Sequence, residues 1–160
     1  MTFAQELQHV CPTVEVQPLD AGFPALYGFC QAKGLFERMI WGEMHLEGAT
    51  PEAQLHDFLT RMCPDPAQAA IWLPGSYARV LYRLHPRVCW SRLSVGAGMT
   101  AENRAQTYRA LWDVGIRELH HHAHPHNPHT KTMQAMGHFR YIASEDGRYL
   151  HGIRRLTERP

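Results

Sequence analysis

The 160-residue chain has no run of eighteen apolar residues, no basic leader followed by an apolar stretch, and no block of lysines or arginines. Each absence excludes a class of function. Without the long apolar run no membrane-spanning helix is expected, and the opening MTFAQELQHVCPT reads as neither a secretory nor a membrane start. Lys and Arg number 16 against 15 Asp and Glu, for a formal net charge of +1. A phosphate backbone requires a concentrated basic face, so no nucleic acid is expected as a partner. Cysteine is scarce: Cys11, Cys30, Cys63 and Cys89 lie far apart, without the paired spacing of a zinc site or a redox dithiol, and read as reduced, partly buried thiols of a cytoplasmic protein. No repeat, low-complexity linker or composition break divides the chain. With 44% hydrophobic and 19% charged residues, positions 1–160 are expected to form a single domain around one core.

What is present is a series of well-punctuated elements. Val14 to Gln17 alternates apolar and polar and stops at Pro18, which predicts a short first strand. Phe23 to Phe36 carries Leu26, Phe29, Cys30 and Lys33 on a helical period, with Gly34 as its stop. Arg38 to Leu46 reads as a strand containing a glycine, closed by Glu47-Gly48. Thr50-Pro51-Glu52 is a strong helix start, placing a cap, a proline and an acid in the order the first turn favours. That helix offers Leu55, Phe58, Leu59 and Met62 for burial before Cys63-Pro64 ends it. Ala69 to Leu73 and Ala78 to His85 read as strands joined by a Pro74-Gly75-Ser76 turn, and Pro86 to Val95 reads as a loop. Ser144-Glu145-Asp146-Gly147 signals a hairpin, because Asp-Gly tolerates the positive φ of a tight turn.

The stretch from Ser94 to Tyr141 organises the rest. Gly96 and Gly98 precede Thr100, a good N-cap, and Glu102 adds negative charge to the first helical turn. Ala101, Ala105, Tyr108 and Trp112 recur on one face until Gly115 stops the helix. A strand over Arg117 to His124, a second short helix ending at Gly137 and a strand opening at Phe139 follow. Glycines ahead of a capped helix let backbone N–H groups approach a pyrophosphate at the positive end of the helix dipole. A plain flexible turn has the same composition.

This order of elements, with Asn127 just after the strand and Gly137 close before Phe139, resembles the C-terminal half of the GCN5-related N-acetyltransferase (GNAT) superfamily over Ala78 to Leu156. The resemblance implies an α/β protein with a mixed, mostly antiparallel central sheet of about six or seven strands and helices on both faces. It implies acetyl-CoA as cofactor, held by Arg92, Gly96, Ala97, Gly98, Met99 and Thr100 with Asn127 on the cofactor arm, and an unknown amine or protein side chain as acceptor. It also makes the Ala78 strand the family's fourth, bordering the Arg117 strand across the cofactor cleft.

Three departures stand out. Arg92 precedes Gly96 by four residues where the family has three, Met133 and Gln134 stand where it often has an acid tyrosine, and Tyr82-Arg83-Leu84-His85 offers no carboxylate as base. Imidazole changes charge near neutral pH, so His85 is the first candidate base, with His122 and His124 next. The same departures permit a second reading: a GNAT-shaped binding or structural module, similar to chains encoded by bacteriophages, acting in a host cytoplasm or a virion with an oligomer or assembly partner. Six histidines fall between His120 and His129, and on a strand His120, His122 and His124 share one face. Imidazole binds transition metals, but a metal site draws its ligands into a shell with oriented partners and a strand face can carry these rings in solvent, so adventitious affinity and no resident metal is expected.

Overall fold

A computed structural model describes residues 1–96, 100–135 and 139–160, and of Pro128 and His129 the backbone alone. The expected loop residues Ala97, Gly98 and Met99 and the expected helix end at Gly137 lie outside the described residues.

Seven strands form one sheet in the order β1-β2-β3-β4-β5-β7-β6. They are β1 (Glu15–Gln17), β2 (Ala69–Leu73), β3 (Ala78–His85), β4 (Val88–Val95), β5 (Glu118–Ala123), β6 (Arg140–Ala143) and β7 (Leu150–Arg155). Each neighbouring pair is antiparallel except β4 with β5, which is parallel. All five residues of β2 are buried because helices cover both faces of the sheet. On one face α1 (Phe3–Val10), α5 (Ala101–Asp113) and α6 (Pro128–Ala135) pack Phe3, Leu7, Tyr108, Leu111 and Met133 against Trp72, Tyr77, Leu81 and Leu119. On the other, α2 (Leu19–Ala32), α3 (Met39–Glu43) and α4 (Pro51–Met62) pack Leu26, Cys30, Trp41, Leu55 and Phe58 against Ile71, Val80 and Tyr82.

The helix α1 is one to which the sequence pattern assigns no element. Thr2 starts it with a reciprocal capping box: the Gln5 backbone N–H donates to the Thr2 hydroxyl at 3.2 Å, and the Thr2 backbone N–H donates to the Gln5 side-chain oxygen at 2.9 Å. Glu6 then meets Arg83 of β3 at 2.7 Å, and the same guanidinium lies 4.8 Å from the centre of the Phe3 ring. These contacts tie the helix to the sheet.

Two expectations are corrected. Arg38 to Leu46 is not a strand but contains α3, because a helical turn lets Trp41 bury alone. Its ring sits edge-on to Phe36 at 5.2 Å and tilted to Phe58 at 5.9 Å, and its Nε1–H donates to Gln54 Oε1 at 2.9 Å. Pro86 to Val95 is not a loop but supplies β4. The pairing Leu81↔Ser91 followed by Val80↔Leu93 leaves Arg92 as an extra, unpaired residue, a β-bulge. The bulge reverses the alternation halfway along the strand, which hides its period in the sequence. In consequence β3 and β5 are not neighbours: β4 stands between them, and the strand bordering the cleft is β4, not the Ala78 strand.

Candidate active site

The parallel ladder between β4 and β5 runs only from Val88↔Glu118 to Ser91↔His121. Past that point β4 continues to Val95 while β5 remains paired with β7, so the two strands part. A cleft of about 260 Å³ opens there, lined by Arg79, Ser91, Arg92 and Ser94 from the β3–β4 side. His121, His122, Tyr141 and Phe139 line it from the other side, with Arg104 and Tyr108 of α5 and Asn127, Thr130 and Met133 around α6. Thr100 begins α5 at this end of the sheet, its hydroxyl accepting from Asn103 N–H at 3.2 Å.

Arg79, like Tyr141, is a residue of this cleft to which the sequence assigns no role. It is only 4% exposed, its Nη2 donates to Ser91 Oγ at 3.3 Å, and its Nε and Nη1 have no partner among the described residues. A buried guanidinium with open donors is costly to hold and is suited to an anion. The available signal was a charge inside the run Ala78-Arg79-Val80-Leu81, which is otherwise apolar.

His121 projects to the α5–α6 face. Its ring stacks on Phe139 at 4.4 Å and its Nε2 is 2.9 Å from the Tyr141 hydroxyl. Gly152 of β7 makes room, since a Cβ there would lie 2.5 Å from the His121 ring. Burial, with Tyr108 nearby, pushes the Tyr141 phenol up to about 12, so it holds its proton at neutral pH.

The opposite face of β5 carries a second cluster. Trp90 of β4 stacks on His120 at 5.0 Å and on His151 at 4.9 Å, and meets His122 edge-on at 4.9 Å. The bulged Arg92 places its guanidinium 4.4 Å from the Trp90 ring centre. Glu118 Oε1 is 2.6 Å from His120 Nε2, and His120 Nδ1 is 2.7 Å from His151 Nε2. Burial, then His151, Arg92 and His120, hold His122 below the usual imidazole range. Burial and His120 lower His151 against the opposing pull of Glu118.

Both depressed imidazoles bind protons more readily in the unfolded chain, so the stability they contribute is present above the unfolded value of about 6.5 and lost as pH falls through it toward the folded values. Denaturant midpoints are expected to fall between pH 7.5 and 5.5, and His122→Gln to flatten that fall; an unchanged slope would contradict the assignment.

The expected site residues divide accordingly. Arg92, His122 and Asn127 line the cleft, and Gly96 and Thr100 stand at the β4–α5 connection. His85 does not join them. It is exposed at the far end of β3, which runs antiparallel to β4, so the end of β3 that approaches the cleft is Ala78. His124 lines a separate cavity of about 930 Å³ with Trp41, Met44, Gln54, His126 and Tyr149, and its Nδ1 accepts from His126 N–H at 3.2 Å. Among the described residues no three His, Cys, Asp or Glu side chains gather as a metal site, and no helix is long and apolar enough to cross a membrane.

A seven-stranded mixed sheet whose fourth and fifth strands run parallel and then part, with helices on both faces, is the fold of GNAT acetyltransferases. The chain matches an acetyltransferase of Thermus thermophilus with a TM-score of 0.60 at 19% identity, over 89% of this chain and 97% of that one. It matches the PaiA N-acetyltransferase of Thermoplasma acidophilum, solved in complex with coenzyme A, with a TM-score of 0.54 at 9% identity, over 89% and 99% of the two chains. FdhC, described as a nucleotide-linked sugar GNAT, gives 0.56 at 10% identity, over 89% and 86%. No protein-family model and no curated protein matches the sequence. The likeness is therefore one of fold.

Proposed function

We propose that the protein is an acyl-CoA-dependent N-acyltransferase that moves an acetyl group directly to an amine. The observation that carries this reading is the coincidence, in one cleft, of the parting β4 and β5 strands with the buried, half-unpartnered Arg79. An elongated anionic ligand fits these donors. Arg79, Arg92 and the N-terminus of α5 would face its phosphates, with Gly96, Ala97, Gly98, Met99 and Thr100 as the phosphate loop and Asn127 on the arm. Bound acetyl-CoA would supply an activated thioester.

The chain's own residues supply the rest. Tyr141, protonated and in the cleft, is placed to give a proton to a leaving thiolate. The imidazole cluster that His122 brings to the cleft edge is placed to take one from the acceptor. Direct transfer is favoured over a cysteine acyl-enzyme because burial pushes Cys30 and Cys89 up to about 12 and Cys63 to about 11. No thiolate is available from these three near neutral pH.

Coenzyme A should raise the melting temperature of the purified chain, by the equivalent of about 2.7 kcal/mol when the ligand stands at about a hundred times its Kd. No shift at millimolar ligand would remove this reading and leave the binding-module alternative.

A further inference from the structure

A chain of hydrogen bonds on β5 and β7 determines which nitrogen of the imidazole cluster can take the acceptor's proton. Glu118 Oε1 and His120 Nε2 are 2.6 Å apart, and His120 Nδ1 and His151 Nε2 are 2.7 Å apart. Both ring nitrogens of His120 are engaged, and this dictates the tautomers. With Glu118 ionised, His120 donates from Nε2, so in the neutral state its Nδ1 accepts from His151 Nε2–H. His151 Nδ1 then carries the lone pair, and no hydrogen bond occupies it among the described residues. His122, by contrast, has ring contacts and no hydrogen bond among the described residues to fix its tautomer.

A proton-accepting nitrogen, a ring that sets its tautomer and a carboxylate behind both is the arrangement of an activated base. His151 lines a cavity of about 440 Å³ together with His122, Ser144, Glu145, Asp146 and Tyr149. His122 also lines the cleft, so the cavity and the cleft meet at that ring.

We propose that Glu118, His120 and His151 form a proton relay that deprotonates the acceptor, and that the acceptor is a cationic primary amine seated in this cavity. An N–H bond of the ammonium breaks and a His151 Nδ1–H bond forms; the electron pair left on nitrogen forms the C–N bond to the acyl carbon, the C–S bond breaks, the thiolate leaves with the Tyr141 proton, and the second nitrogen proton restores Tyr141. The His151 Nε2 proton moves to His120 Nδ1. The relay has then gained one proton, held as a His120 imidazolium against the Glu118 carboxylate.

The charges around His151 suit this step. His120 and His122 face it from β5, Arg92 lies beyond Trp90 on β4, and Glu145 and Asp146 stand across the cavity, where they favour a cation on entry. The proton transfer rests on the acyltransferase reading for its purpose, but not for its existence.

Ring-nitrogen NMR of the full chain tests the relay without any ligand. His151 is expected as the Nε2–H tautomer at neutral pH, and Glu118→Gln is expected to move its titration to lower pH, since the carboxylate pulls it upward. An Nδ1–H tautomer, or an unmoved titration in Glu118→Gln, overturns the relay. The second arm follows thiol release from acetyl-CoA with diaminobutane as acceptor. His151→Gln should lower kcat by at least about 100-fold while keeping KM and the coenzyme A melting shift.

Wild-type kcat in His151→Gln overturns the base assignment. Preference for aniline, whose amine is neutral at the assay pH, over diaminobutane, or transfer to neither while the coenzyme A shift persists, overturns the substrate class. A missing coenzyme A shift in the wild type fails the acyltransferase reading instead, and the relay is then judged by NMR alone.

Discussion

Arg79→Met is expected to abolish the coenzyme A-dependent rise in melting temperature while leaving the free protein as stable as the wild type, or more so. The two effects have opposite signs for one reason. In the free protein Arg79 is 4% exposed and, among the described residues, bonded to Ser91 alone, with Nε and Nη1 open. Replacing a poorly compensated buried ion by an apolar side chain of similar length is neutral or stabilising by about 1–4 kcal/mol. With the ligand present, the same open donors gain an anion, and losing them removes the linkage term of about 2.7 kcal/mol expected at a hundredfold excess over Kd. Thermal melts of both proteins with and without coenzyme A decide the matter. A variant that melts several degrees lower yet keeps the full shift would make Arg79 a structural residue.

Gly96→Ala should destabilise the free protein by roughly 2–5 kcal/mol, before any ligand is considered. Gly96 has φ +118°, a backbone region that residues with a side chain rarely occupy. A Cβ there would also lie 3.0 Å from Ser76 O and from Tyr77 Cα and Cβ, and Tyr77 is fully buried. Neither backbone can yield cheaply, so strain and overpacking add. Urea denaturation gives the number directly. A variant of wild-type stability would show that the β4–α5 turn relaxes freely and that Gly96 serves only to approach a ligand.

Gly96 was legible as a phosphate-loop glycine because it stands ahead of a capped helix, but its contact with Ser76 and Tyr77 joins positions twenty residues apart or nearly so, which no local pattern reports. The same distinction explains β4. Its residues Val88-Cys89-Trp90-Ser91-Arg92-Leu93-Ser94-Val95 lack one clean alternation because the Arg92 bulge inverts the faces, and one strand was therefore missing from the expected order. Without β4, the resemblance sets the Ala78 strand beside the cleft and makes His85 the leading base, although His85 lies at the far end of that strand. Arg92, His122 and Asn127 line the cleft: the resemblance pointed to Arg92 and Asn127, and the titration range of imidazole to His122.

The histidines show the limit most plainly. Strand alternation separates His120 and His122 from His121, and the structure agrees, with the first two against Trp90 and the third on Phe139. What alternation does not contain is the partner on the next strand. His151 lies thirty-one residues beyond His120 and reaches it because β7 pairs antiparallel with β5 in the register His122↔His151.

By itself the sequence determined the elements whose causes are local. Thr50-Pro51 and Thr100 start helices, Gly34 and Gly115 sit at positive φ just past helix ends, and Asp146-Gly147 turns the last hairpin, because caps and turns involve only residues a few positions apart. Together with the helix and strand order, they were enough to indicate the GNAT fold. Only the tertiary structure decided which strands flank the cleft, that Arg79 is buried there with open donors, and that Glu118, His120 and His151 join in one line. Those facts depend on sheet register and on the faces that distant strands present to one another, and register is set by the packing of the whole core rather than by any local run of residues.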